Sequence, residues 1–68
     1  MENVERLIPC FDERKQRYFI KDIVTNEIRI TPKEGYKNKT NAINYLNMLR
    51  KQHGLLNYTE EYYQQCLF

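Results

Sequence analysis

The chain has 68 residues, of which 41% are apolar, enough for one small domain with a thin core and too few for the usual enzyme scaffold around an enclosed pocket. A formal net charge of +2 permits nucleic-acid binding without arguing for it. No apolar run is long enough to cross a bilayer, and "MENVERLIPC" has acids where a signal peptide would have lysines, so a cytoplasmic protein is expected.

Along the chain, "VERLIPCF", residues 4–11, is a candidate first strand that Pro9 either confines to an edge or breaks. "DERKQ" then reads as a solvated connector. "RYFIKDIV", residues 17–24, is rich in aromatic and β-branched residues and gives the strongest strand signal. "TNE" is a turn in which Asn26 tolerates a positive φ. "IRIT", residues 28–31, alternates Ile28 and Ile30 with Arg29 and Thr31, as a half-buried strand does. Residues 17–31 are therefore predicted to form a β-hairpin, ended by Pro32. "KEGYK" is a loop in which Gly35 supplies unusual backbone freedom.

The main helix is predicted over residues 39–53. Asn38 is its N-cap, and Ala42, Tyr45, Leu46 and Leu49 recur at helical spacing, flanked by Ile43 and Met48. Arg50, Lys51 and His53 suit its last turn, and Gly54 its end. A shorter helix is predicted over residues 60–67: Thr59 caps it, Glu60 and Glu61 fill its first turn, and Tyr58 and Tyr63 staple it. Tyr62, Cys66 and Leu67 would fold back on the core. The expected fold is α+β, one domain over residues 1–68: a two- or three-stranded antiparallel sheet packed on one main α-helix, plus a short C-terminal helix.

Chemistry-bearing residues are sparse. Cys10 and Cys66 both sit among apolar neighbours and read as buried thiols, with a bridge between them as the alternative. One histidine, His53, and no Cys-x-x-Cys pair leave no metal site, and no nucleophile–base pair stands out. No enzyme activity and no cofactor are expected.

Asparagine recurs at every third position of "NKTNAINYLN": Asn38, Asn41, Asn44 and Asn47. Each lags its predecessor by about 60° round a helix, so the four form no single face. Asn38 is a cap; the others fill positions that the apolar face leaves, with Asn44 and Asn47 as the pair able to reach a base. Charge is more informative. Residues 1–34 carry seven basic and seven acidic side chains, whereas residues 35–53 carry Lys37, Lys39, Arg50 and Lys51 and no acid. That block suits phosphate, with Lys37 and Lys39 beside the exposed amides of a helix start; a plain solvated face is the other reading. A second surface is the sheet face bearing Arg17, Lys21 and Arg29, which would enter a major groove as a β-ribbon does or simply protect an edge.

The run "RYFIKDIVTNEIRITPKEGYKNKTNAINYLNML" resembles the small β-β-β-α arm-type DNA-binding domain at the amino end of phage tyrosine integrases. Gly35, Tyr36, Lys37, Asn38, Ala42, Tyr45 and Leu46 carry the likeness, which covers about half the chain. It implies that Arg17, Lys21 and Arg29 touch DNA, in a regulator or a repurposed fold rather than a recombinase.

Two functions are therefore expected to compete. One is a small non-enzymatic DNA-binding module or regulator, binding weakly and in a salt-dependent way. The alternative is a phage or mobile-element protein that binds and inhibits a host protein through a tyrosine-rich surface of Tyr36, Tyr58, Tyr62, Tyr63 and Phe68. Homodimerisation would help so small a core.

Overall fold

The computed structural model describes residues 3–59. A 3₁₀ turn at Val4–Arg6 leads into strand β1, Leu7–Asp12; the chain reverses into β2, Arg17–Asp22, and later forms one helix, α1, Lys39–Gln52. The architecture is α+β, a two-stranded antiparallel sheet with one main helix. The helix expected over residues 60–67 lies outside the described residues.

The hairpin is β1–β2, paired from Leu7 with Asp22 to Asp12 with Arg17. The hairpin expected over residues 17–31 is present only as a turn after β2 with a single antiparallel bridge, Lys21 to Ile28, while the regular hairpin, β1–β2, lies before it. "DERKQ" is no loose connector. Asp12 Oδ1 accepts the backbone N–H groups of Arg14 (2.9 Å) and Lys15 (3.3 Å), and Gln16 N–H donates to Asp12 C=O at 2.8 Å. Gln16 closes the turn at φ 55°. An aspartate that caps its own turn and a left-handed last residue make a four-residue hairpin loop.

Pro9 sits inside β1 opposite Ile20. Ile20 spends both backbone groups on its other side: its C=O accepts from Arg29 N–H at 2.8 Å, and its N–H donates to Thr31 Oγ1 at 2.9 Å. Pro9 therefore lies in a pair that exchanges no hydrogen bond, and its missing donor faces the edge of β1 away from β2, where proline is tolerated.

Residues 27–36 run along the far edge of β2 as a third strand that is begun and broken. Asp22 N–H donates to Glu27 C=O (2.9 Å), and Ile28 bridges Lys21. Ile30 then takes φ 45°, a rare backbone state for a β-branched residue. The Thr31 hydroxyl takes the place of a strand carbonyl toward Ile20 and donates to Arg29 C=O at 2.7 Å. A turn from Pro32 to Gly35 follows, and the chain rejoins β2 at Tyr36, which exchanges both backbone bonds with Tyr18 (2.9 and 2.8 Å). The alternation in "IRIT" was real, but Ile30 ends the pairing before Pro32 does. Gly35 is required at its place. Its φ is 84°, and an added Cβ would lie 2.8 Å from both Arg17 Cβ and the Phe19 ring.

Helix α1 starts as its sequence foretells: Asn38 Oδ1 accepts the N–H of Asn41 at 2.9 Å. It stops at Gln52, with His53 as C-cap and Gly54 at φ 74°. Leu55 N–H reaches Arg50 C=O at 2.8 Å and Gly54 N–H reaches Lys51 C=O at 3.1 Å, which is a Schellman motif. Two α1 side chains then hold the returning chain. Arg50 Nε donates to Leu56 C=O at 2.6 Å, and Asn47 Oδ1 accepts Tyr58 N–H at 2.7 Å. The asparagine row thus resolves into one cap, Asn38, one anchor, Asn47, and two exposed positions, Asn41 and Asn44.

The core joins Leu7, Ile8, Cys10 and Ile20 of the sheet to Ala42 and Leu46 of α1 and to Tyr58. Fully buried Leu7, Ile20 and Leu46 each contribute about 1.5–3 kcal/mol of apolar transfer. Adjacent Phe19 and Ile20 are both buried, so both faces of β2 are covered. Cys10 is buried and disulfide-bonded, which corrects its reading as a plain buried thiol. Cys66 lies outside the described residues.

Candidate functional site

The two ends of β2 share one turn design. At the second end, Asp22 Oδ1 accepts the N–H groups of Val24 (2.8 Å) and Thr25 (3.3 Å), Asn26 N–H donates to Asp22 C=O (2.7 Å), and Asn26 takes φ 64°. The positive φ foreseen for Asn26 is thus present. Arg6 adds an ion pair to Asp22 Oδ2 at 2.7 Å. Burial pushes the Asp22 carboxyl up; the Val24 and Thr25 amides and the Arg6 guanidinium outweigh it and hold the group below the usual aspartate value. This end displays three exposed apolar side chains, Ile23, Val24 and Ile28, among exposed Thr25, Asn26 and Glu27.

The first end displays charge. An open groove of about 510 Å³ is lined by Lys15, Arg17, Lys33 and Glu34, three cations against one carboxylate among the described residues. Lys15 Nζ stands 5.3 Å from the centroid of the Phe19 ring, a cation–π contact that holds the ammonium at the groove wall. The Arg17 guanidinium donates to Gln16 C=O at 3.1 Å. The Tyr18–Tyr36 bridge brings Lys37 to this end, next to Arg17 in register, and α1 begins there at Lys39.

Aromatic rings cross the molecule on the other face of the sheet, because Tyr18 alternates with Arg17 and Phe19 along β2. Phe11 and Tyr18 are cross-strand partners with ring centroids 4.9 Å apart. Tyr18 bridges Tyr36 through the backbone, and the Tyr36 ring lies 6.3 Å from that of Tyr45 on α1. The inner two rings are half-buried, and the outer two are open, Phe11 at 39% and Tyr45 at 40% exposure. Met48, one turn beyond Tyr45 on α1, is also exposed. The Tyr36 hydroxyl donates to Ile30 C=O at 3.1 Å; burial, then the Tyr45 hydroxyl, pushes its pKa up, so it stays a neutral donor.

The structure separates residues that the sequence grouped. Lys37 and Lys39 are exposed at the start of α1, and exposed Lys51 lies twelve residues beyond Lys39, about 18 Å along the axis. Arg50 is only 7% exposed and holds the Leu56 carbonyl, so it is an anchor and not a surface cation. The block over residues 35–53 is therefore no single surface. Nor do Arg17, Lys21 and Arg29 form one face: Lys21 is 4% exposed, and Arg29 pairs with Glu27 at 3.2 Å. Arg17 alone of the three lines the groove. Of the expected tyrosine surface, Tyr36 is half-buried and Tyr58 is a core residue; Tyr62, Tyr63 and Phe68 lie outside the described residues.

Sequence reasoning missed Lys15, Lys33, Phe11, Tyr18 and Tyr45 as surface groups. Reading "DERKQ" as a hairpin turn would have found the first ring pair, because it sets Phe11 opposite Tyr18. Nothing in the sequence signals that Lys33 meets Lys15. Among the described residues no three His, Cys, Asp or Glu side chains gather as a metal site, and no helix is long and apolar enough to cross a membrane. Comparison of the chain with protein-family models, with curated proteins and with solved structures returns no match.

Proposed function

We propose that this protein is a small non-enzymatic nucleic-acid-binding module, a DNA-binding regulator acting in the cytoplasm. The supporting observation is the gathering of Lys15, Arg17 and Lys33 in one open groove, with Lys37 beside it, in a chain whose net charge is only +2. Such a cluster neutralises about three phosphates, so log K should fall with log salt at a slope of about −3. The likeness of residues 17–49 to arm-type integrase domains points the same way, although Lys21 and Arg29 take no part in the groove.

The test is a titration of labelled DNA at about 50 and 200 mM salt, on the parent and on a variant with Lys15, Arg17 and Lys33 all changed to Gln. Parental binding should weaken steeply with salt, and the variant should lose most of it. Lys51→Gln, far along α1, should leave binding unchanged. No binding at low salt, or a triple variant equal to the parent, removes the proposal. Association that survives nuclease and high salt would shift weight to a protein partner, with Ile23, Val24 and Ile28 as its surface. A disulfide at Cys10 endures only where thiols are not kept reduced. A thiol count on freshly purified protein therefore tests the cytoplasmic placement separately.

A further inference from the structure

We infer that Cys10 and Cys66 form a thiol–disulfide latch that holds residues 60–68 over the sheet face turned away from α1, and that low-molecular-weight thiols open it. The latch goes beyond the nucleic-acid reading and does not rest on it.

Alternation sets the two faces of the sheet. Leu7, Pro9, Phe11, Tyr18, Ile20 and Asp22 lie on one, and Ile8, Cys10, Phe19 and Lys21 on the other, because directly paired residues share a face. Helix α1 belongs to the first face: Tyr18 bridges Tyr36, whose ring meets that of Tyr45. It is the one α-helix among the described residues. The second face should then be wet, and it is not. Ile8 is 2% exposed, Cys10 3%, Phe19 2% and Lys21 4%. Lys15 and Gly35 lie against the Phe19 ring, at one end of this face. Lys21, at the other end, is an ammonium group taken out of water, and it is not without a partner. The face has a cover.

Cys10 identifies it. Cys10 is disulfide-bonded, and the sequence holds one other cysteine, Cys66. Cys66 follows Thr59 by seven residues, which reach up to about 24 Å, enough to come round a two-stranded sheet. The path starts at a fixed point, because Asn47 Oδ1 holds the Tyr58 N–H at 2.7 Å. Tyr62, Tyr63, Leu67 and Phe68 supply the apolar surface that such a cover needs.

Opening is thiol–disulfide exchange. A thiolate attacks one sulfur, forms a mixed disulfide and releases the other sulfur as a thiolate. A second thiolate then frees the first sulfur and leaves a small-molecule disulfide. Two small thiols are oxidised, the protein disulfide is reduced, and the two protons finish on Cys10 and Cys66. Buried Cys10 has no room for the mixed disulfide, so Cys66 takes the attack and Cys10 leaves. A small-molecule disulfide drives the reverse step and closes the latch.

The experiment equilibrates the full chain with oxidised glutathione and maps its disulfides by mass spectrometry. One peptide pair joining Cys10 to Cys66 within a monomer is expected. Cysteines that stay free or carry glutathione, or a bond joining two copies, overturn the inference. Methyl NMR then locates the cover. In the oxidised protein the Ile8 methyl protons should show nuclear Overhauser effects to residues 60–68, and dithiothreitol should remove them. Ile8 contacts confined to residues 3–59 in the oxidised protein, or contacts unchanged by reduction, overturn the inference as well. Cys66→Ser should match the reduced parent, and the thermal midpoint of both should fall by about 10 °C or more. If reduction unfolds the chain by circular dichroism, closure is lost with the fold, and the Ile8 contacts of the oxidised protein still decide where the segment sits. No readout here uses DNA, so the latch and the nucleic-acid reading fail separately.

Discussion

Asp12–Arg17 and Asp22–Glu27 are the same turn made twice, ten residues apart. In each, an aspartate caps two amides, the fifth residue donates to the aspartate carbonyl, and that fifth residue is left-handed. What they display differs. The first presents Glu13, Arg14 and Lys15 and opens onto the cationic groove; the second presents Ile23, Val24 and Thr25. The difference teaches that the turn's geometry lies in its first and last residues and leaves the middle free to carry a surface. It also teaches that support is unequal. Asp22 is buried and paired with Arg6, whereas Asp12 is half-buried, and the first end relies instead on Gly35 packing against Arg17 and Phe19.

Substitution at Gly35 should therefore hit the first end hardest. Gly35→Ala places a Cβ against two side chains at a left-handed φ and should cost about 2–4 kcal/mol in denaturant unfolding. Gly54→Ala shares the positive φ, meets nothing within 4 Å, and should cost about 1 kcal/mol. Equal losses would mean that the Gly35 contact carries no weight.

Next come the two aspartates. Asp22→Asn should lower the unfolding midpoint more than Asp12→Asn, because it also breaks the Arg6 pair. The pH dependence has a definite sign. The folded Asp22 pKa lies below the ordinary 3.8, so its contribution is full above that value and is lost as pH falls through the folded pKa. Acid unfolding of Asp22→Asn should be shallower than that of the parent over this window. Identical acid limbs would contradict the difference in support.

The smallest effect concerns the left-handed residues, Gln16 and Asn26. Asparagine tolerates that conformation better than glutamine. Gln16→Asn should raise stability by about 0.5 kcal/mol, and Asn26→Gln should lower it by about as much. Opposite signs would show that the two turns do not share one backbone logic.

How much was legible follows from where each interaction resides. The main helix was readable to within a residue at each end, because Asn38 and Gly54 act on their immediate neighbours. The first hairpin was hidden because its turn has neither glycine nor Asn-Gly, and its last residue, Gln16, is a poor left-handed former. The break at Ile30 could not be foreseen, since a β-branched residue is the last expected at positive φ; it is held by the bonds of Thr31 and Tyr36. Arg50 looked like a surface cation at a helix end, and only the return of residues 55–58 over it makes it an anchor. Lys15 and Lys33 are eighteen positions apart and meet through the broken third strand, which local pattern does not encode.

The unequal display of the two turns is tested most directly by titrating ¹⁵N-labelled protein with a short oligothymidylate and following every backbone amide. Shifts should concentrate at Glu13–Arg17 and Lys33–Lys37, and residues Ile23–Ile28 should stay still. Movement centred on Ile23–Ile28, or no movement at all, would contradict the assignment of polyanion binding to the charged end.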